Sequence, residues 1–398
     1  MQLSQRLAPL SFNVFADMDR AKALAKAAGQ DLIDLSLGSS DLPAPPKALE
    51  AIAQSLSDST TYGYSLFSNT QAFRQAAAQW YTDKFDIPVD PETEVLPLIG
   101  SQEGTAHLPL AILNPGDFAL LQDPSYPSHS GGVFLAGGQV YPMPLLAENG
   151  FLPVLADIPP AVLSQAKMMV LSYPHNPTTA IAPLSFLQET VAFCQKHNLV
   201  LVHDAPYLDF VFDTFSQAPK KQSIAPSIFQ ADPEKTVSIE FFTMSKSYSM
   251  GGFRVGYAIG NTELIQALRQ VKACIDFNQY QGILNGAIAA LTGLQEVVRE
   301  TVDIFRQRRD VFVGALDRIG WPVPTPSATM YVWAKLPEAW ANNSVGFCVD
   351  LVKNTGVAVA PGAGFGKAGE GYVRFALVHK SEVLSRAVEK ISVFLQKC

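Results

Sequence analysis

Thr243-Met244-Ser245-Lys246-Ser247-Tyr248-Ser249-Met250-Gly251-Gly252-Phe253-Arg254-Val255-Gly256 is the stretch from which the fold is read. An apolar run, Val237 to Phe242, leads into it, and a second strand-like run, Arg254 to Ile259, leads out. Lys246 therefore stands in a turn between two strands, with small hydroxyl residues beside it, glycines after it and a cation eight residues on. A lysine that forms a Schiff base needs such a setting: a desolvated amine, and separate groups that hold a phosphorylated cofactor against it. Taken alone, a Ser-Lys pair reads as an ordinary solvated turn. The rest of the chain changes that reading.

Working outward, short apolar runs alternate with helical patterns. The runs Val95–Ile99, Phe118–Gln122, Met168–Ser172, Leu199–His203, Val237–Phe242 and Val255–Ile259 read as strands, and Gln71–Lys84, Leu184–His197 and Thr262–Val271 read as helices between them. Strands of about five residues separated by helices predict an α/β unit with a mostly parallel sheet. Ser101, Asn176, Asp204 and Lys246 collect just after strand C-terminal ends, the edge where open α/β sheets bind ligands. From about Ile283 the rhythm changes. Val298, Val302, Phe305, Phe312, Leu316 and Ile319 recur at steps of three and four, a long amphipathic helix ending at Gly320. Strands over Met330–Ala334, Gly356–Ala360 and Tyr372–Leu377, then a helix over Ser381–Leu395, describe a smaller α+β unit, which a helix around Phe15–Ala28, stopped by Gly29, joins. The expected division is a large domain over 45–285 and a small domain made of 1–44 with 286–398.

The 398 residues are 48% hydrophobic and 16% charged, which supports a sizeable core and argues against disorder. A net charge of −7 argues against a broad nucleic-acid surface. Arg306, Arg308 and Arg309, near Asp303 and Asp310, read as a solvated helix face. Cys194, Cys274, Cys348 and Cys398 are far apart, and the histidines form no metal-ligand spacing, so free thiols and no bound metal are expected. No signal-peptide pattern and no membrane-length apolar run is apparent, and the expectation is a soluble cytoplasmic protein.

Each polar group has a physical role to offer. Gly100-Ser101-Gln102 opens a helix straight after a strand; amides there cradle a phosphate, and glycine permits close approach. On its own it is also a plain strand–helix turn. Ser245 and Arg254 would add a hydroxyl and a charge-assisted pair to the same phosphate. Asp204, taken alone, reads better as an N-cap. Arg374 lies in an apolar strand, and a buried arginine needs a partner, either a structural acid or a ligand. Pro361-Gly362-Ala363-Gly364-Phe365-Gly366 lacks the strand–turn–helix context of a dinucleotide loop.

Gly100-Ser101-Gln102, Asp123-Pro124-Ser125-Tyr126, Tyr173-Pro174-His175-Asn176-Pro177-Thr178, Asp204-Ala205-Pro206-Tyr207, Thr243-Met244-Ser245-Lys246 with Gly252-Phe253-Arg254, and Tyr372-Val373-Arg374 occur in this order across nearly the whole chain. In these the sequence resembles the class I/II aminotransferases, enzymes of fold type I that use pyridoxal 5′-phosphate (PLP). The resemblance implies that Lys246 carries PLP, that Asp204 pairs with the pyridine nitrogen, and that Asn176 and Tyr207 donate to the ring 3-oxygen. It further implies that Tyr126 stacks on the ring, that Gly100, Ser101, Gln102, Thr243, Ser245 and Arg254 surround the phosphate, and that Arg374 and Asn176 with the backbone of Gly38 hold the substrate α-carboxylate. Tyr64, ten residues before Arg74, matches the tyrosine that crosses a dimer interface to the neighbouring subunit's phosphate, so a homodimer is implied. The glycine run 361–366 looks like the family's turn near the substrate. Asn69 and Thr179 stand where many relatives have glycine, and Thr243 replaces a common serine.

The implied activity is transfer of an amino group between an L-amino acid and a 2-oxo acid such as 2-oxoglutarate, with ping-pong kinetics. Asp204-Ala205-Pro206-Tyr207 and Gly38-Ser39-Ser40-Asp41-Leu42-Pro43 look most like the branch containing LL-diaminopimelate and aspartate aminotransferases. No second arginine for a distal carboxylate is identifiable. The alternatives are a PLP-dependent carbon–sulfur lyase on the same fold and, from a different class, a cofactor-binding regulator without turnover.

Overall fold

The structure, a computed structural model, describes residues 3–10, 14–212 and 223–396. Its centre is a seven-stranded sheet. From edge to edge the strands are Val95–Leu98, Gly256–Gly260, Ser238–Thr243, Val200–Asp204, Ala166–Ser172, Phe118–Asp123 and Gln139–Pro144. Gly256–Gly260 runs antiparallel to both neighbours, and every other pairing in the sheet is parallel. The other six strands therefore point the same way. Helices, among them Ser101–Ile112, Leu184–His197 and Thr262–Ile275, cover the sheet, so the inner strands are buried on both faces and read as continuous apolar runs. The sequence reading finds all of these strands except Gln139–Pro144. That edge strand carries Pro142 and Pro144, which a strand tolerates only where one side lacks a partner.

A second, smaller sheet is antiparallel: Ala360–Pro361, Tyr372–Ala376 and Tyr331–Lys335. The single strand expected over Gly356–Ala360 is split. Val357–Ala358 pairs in parallel with Ile33–Asp34, and only Ala360–Pro361 joins the antiparallel sheet. The helices Val14–Ala27, Ser344–Thr355 and Ser381–Leu395 pack around these strands.

The helix Glu296–Arg318 buries Val298, Val302, Phe305, Phe312 and Leu316, as its spacing predicts. The solvated face expected for Arg306, Arg308 and Arg309 holds for Arg306, which stays part-exposed beside Asp303 and Asp310, and is corrected for the other two. Arg308 is 4% and Arg309 5% exposed. Arg308 grips both carboxylate oxygens of Asp41 at 2.6 and 2.8 Å and also donates to the Leu377 carbonyl, while Arg309 donates to the Pro326 carbonyl. Asp41 lies far away in sequence, so the charge pattern along the helix could not reveal the pair. Among the described residues, no helix is long and apolar enough to cross a membrane.

Candidate active site

Strand direction assembles the site. Ser101, Ser172, Asp204 and Thr243 lie at the carboxyl ends of parallel strands. Because Gly256–Gly260 runs the other way, its entry residue Arg254 arrives at that same edge. Ser101, Asp204, Thr243, Ser245, Lys246 and Arg254 thus border one cavity of about 440 Å³, bordered on its far side by Gly38 and by Tyr331 and Arg374 of the smaller sheet.

At the phosphate-like end, Gly100 adopts φ +77° before the helix Ser101–Ile112, and a Cβ there would lie 2.5 Å from the Arg254 guanidinium. The positive φ favours glycine there, and the turn brings the Arg254 guanidinium beside the N-terminus of the helix. The Thr243 hydroxyl donates to the Ser245 Oγ at 2.8 Å and accepts from the Ser245 amide at 3.2 Å, so Thr243 orients Ser245. Tyr126 donates to the Gln102 side chain at 3.3 Å.

In the middle, the Lys246 Nζ donates to the Gly38 carbonyl at 2.6 Å and lies 5.6 Å from the centre of the Tyr207 ring. Asp204 is 4% exposed. Its Oδ2 pairs with the His129 Nε2 at 3.0 Å, while its Oδ1, fully buried, has no partner. A carboxylate oxygen left unpaired in a dry site is costly unless something protonated meets it. The N-cap reading of Asp204 fails, because the strand Val200–Asp204 leads into turns and not into a helix.

At the carboxylate-like end, Arg374 is 5% exposed and packs its guanidinium over the rings of Tyr331 and Phe365, at 4.3 and 4.6 Å from their centroids. It donates to the Asn176 Oδ1 and to the Ser36 carbonyl, both at 2.7 Å, and its Nε is buried without a partner. Among the described residues no acid holds it, so the structural salt bridge weighed for Arg374 is not what it makes there. With the Asn176 Oδ1 occupied, the amide NH₂ is the group Asn176 has left to offer. The turn Gly362–Phe365 borders this end through Phe365.

Two site residues escaped the sequence reading. His129, in the helix Pro127–Ala136, is wholly internal and holds Asp204; a lone histidine in Ser-His-Ser carries no signal. Tyr331 donates or accepts a 2.7 Å bond with Tyr207 and was read only as a strand residue. Tyr64 reaches no group of its own chain's cavity and is 91% exposed, beside exposed Tyr62 and Leu66. Thr179 holds φ +66°, so the backbone keeps a glycine conformation although the side chain is β-branched, at a cost of order 1–3 kcal/mol.

The buried Asp204 oxygen, the lysine and the Gly100–Arg254 cradle fit PLP. A sheet of this topology bearing such a site defines a fold type I PLP-dependent transferase. The sequence pattern of the family described as Aminotransferase class I and II matches residues 30–391. An LL-diaminopimelate aminotransferase of Dehalococcoides mccartyi is 41% identical, covering 98% of each chain, and one of Moorella thermoacetica is 39% identical, covering 100% of this chain and 99% of the other. A solved structure described as a probable N-succinyldiaminopimelate aminotransferase from Thermus thermophilus superposes with a TM-score of 0.88 at 42% identity, over 96% of this chain and 99% of that one. The chain belongs to the class I and II aminotransferases and is a PLP-dependent transaminase.

Proposed function

We propose that the enzyme transfers the amino group of LL-diaminopimelate, or a donor of that shape, to 2-oxoglutarate. Full-length similarity to proteins named for that substrate supports this reading. Among the described residues that line the cavity, the cations are Lys246, Arg254 and Arg374, and each has a role below. A panel of amino donors with 2-oxoglutarate, read out as glutamate, tests this. LL-diaminopimelate should give the highest kcat/KM; a preference for aspartate would overturn the assignment. Pyruvate release from cystathionine would instead reveal carbon–sulfur lyase activity.

PLP, when bound, supplies the electron sink for the carbanion at the substrate Cα. In this reading Asp204 Oδ1 holds the proton on the ring nitrogen, and His129 fixes the carboxylate. With PLP bound, Asn176 and Tyr207 would donate to its 3-oxygen, and Tyr126 would pack against the ring. The amides at Gly100, Ser101 and Gln102, the Ser245 hydroxyl steadied by Thr243, and Arg254 bind the phosphate. Lys246 Nζ moves the Cα proton as base and then acid. Arg374, with Asn176 and the backbone at Gly38, receives the α-carboxylate.

Arg374→Ala should raise KM for every amino donor alike, by roughly tenfold to over a hundredfold, the worth of a charged hydrogen-bonded pair of about 1.5–3 kcal/mol. Arg374→Lys should recover only part, since an ammonium cannot present a fork. Steady-state kinetics across the donor panel check this; losses that differ widely between donors would mean that Arg374 reads a side chain.

We divide the chain into a large domain over 45–285 and a small domain of 1–44 with 286–398. The seven-stranded sheet lying wholly within the first range and the pairing of Ile33–Asp34 with Val357–Ala358 support this. We also propose a two-fold homodimer in which Tyr64 reaches the partner's phosphate site, supported by its exposure next to Tyr62 and Leu66. If Arg374→Ala and Tyr64→Ala subunits are mixed, one site of the heterodimer carries both lesions and the other neither. Activity should then rise above either mutant alone; with subunit exchange demonstrated, activity at the mean of the two mutants would refute shared sites. Free Cys194, Cys274 and Cys348 suit a reducing cytoplasm.

A further inference from the structure

We propose that Tyr331 is a positioning residue of the amino-transfer site, acting through Tyr207 on the electron distribution of the bound cofactor. Tyr331 opens the strand Tyr331–Lys335 and is 2% exposed. Its hydroxyl lies 2.7 Å from that of Tyr207. The same hydroxyl is wedged against Gly38, where a Cβ would lie 1.9 Å from it, and Gly38 is the residue whose carbonyl receives Lys246. The Tyr331 ring carries the Arg374 guanidinium. One side chain therefore touches the ring-oxygen donor, the lysine's anchor and the carboxylate-binding arginine.

The contact between the two tyrosines is set by backbone. Thr329 N–H donates to the Phe210 carbonyl at 2.9 Å, Phe212 N–H donates to the Ser327 carbonyl at 2.9 Å, and Val211 bridges Ala328. These bonds stitch the segment before Tyr331 to the segment after Tyr207. Thr329, at φ +70°, also accepts from the Tyr331 amide at 3.2 Å. Electrostatics orient the proton. Burial raises the Tyr331 hydroxyl, but the Lys246 and Arg374 cations and the bond to Tyr207 more than offset it and hold it below the ordinary phenol value. Burial, followed by the proximity of Tyr331, pushes Tyr207 well above that value. Tyr331 is the more acidic of the two.

The proposal rests on Tyr207 donating to the ring oxygen, as in the reading above. Tyr207 has one hydrogen; once that goes to the ring oxygen, its own oxygen accepts from Tyr331. A donor behind a donor strengthens it. Charge is drawn from the ring oxygen, which then holds less tightly the proton on the nitrogen linking Lys246 to the cofactor.

The test uses PLP-loaded wild type, Tyr331→Phe, Tyr207→Phe and the double variant, and reads the pH midpoint of the change in visible absorbance. Tyr331→Phe keeps the ring under Arg374 and deletes only the hydroxyl. Its midpoint should rise by roughly 0.3–1 pH unit, and its kcat should fall about three- to tenfold while donor KM changes by less than about twofold. In the Tyr207→Phe background the second substitution should add nothing. A Tyr331→Phe midpoint equal to wild type overturns the proposal, and so does a shift that persists undiminished without the Tyr207 hydroxyl. Failure of Tyr207→Phe itself to move the midpoint would show separately that Tyr207 is misassigned.

Discussion

A Lys246→Ala protein is expected to take up PLP and to turn over at least about 10²–10⁴-fold more slowly, the range that positioned acid–base groups contribute. Uptake should survive because the groups proposed to hold PLP do not depend on the lysine. The amides after Gly100 come from one segment, the Ser245 hydroxyl and Arg254 from the turn that also carries Lys246, and Asp204 from a third. Turnover should not survive, because Lys246 Nζ is the only amine bordering the cavity among the described residues. Tyr331 is its nearest rival as a base, but it is bonded to Tyr207. Rapid mixing of the PLP-loaded variant with an amino donor under single-turnover conditions separates binding from proton transfer. A rate of Cα deprotonation close to wild type would remove Lys246 from the chemistry.

The second large effect is expected for Asp204→Asn. Asparagine is nearly isosteric, and its oxygen can still accept from His129 Nε2, which lies 3.0 Å from Asp204 Oδ2. It cannot hold a proton on the ring nitrogen. Breaking one side of a buried charge pair costs about 3–5 kcal/mol, equivalent to a loss of roughly 10²-fold to several thousandfold in the deprotonation step. The unfolding midpoint of the apoprotein should shift little, since no helix cap is removed. Deprotonation near the wild-type rate, or a large loss of apoprotein stability, would make Asp204 a structural residue.

The central sheet was legible because its inner strands are covered on both faces, which writes them as apolar runs bounded by turns. Gln139–Pro144 was not, because an edge strand with two prolines imitates a loop. Legibility in the site followed the same division. Lys246, Asp204 and Arg254 are charged residues set at or just beyond the ends of apolar runs, Arg374 is one set within such a run, and such residues announce themselves. His129 and Tyr331 act only through partners distant in sequence, Asp204 and Tyr207, and no local pattern encodes such a pairing. The misreading of Arg308 has the same cause, since its partner Asp41 belongs to the opposite end of the chain. Thr179 shows the converse. A departure at a glycine position need not change the backbone: Thr179 keeps φ +66°, with its N–H donating to the nearby His175 carbonyl at 2.8 Å.

Borohydride reduction of the PLP-loaded wild-type protein, followed by proteolysis and mass mapping, tests the central assignment most directly. The account predicts one reduced phosphopyridoxyl group per chain, on the peptide containing Lys246. An adduct on any other lysine, such as the buried Lys235 or Lys272, would contradict it.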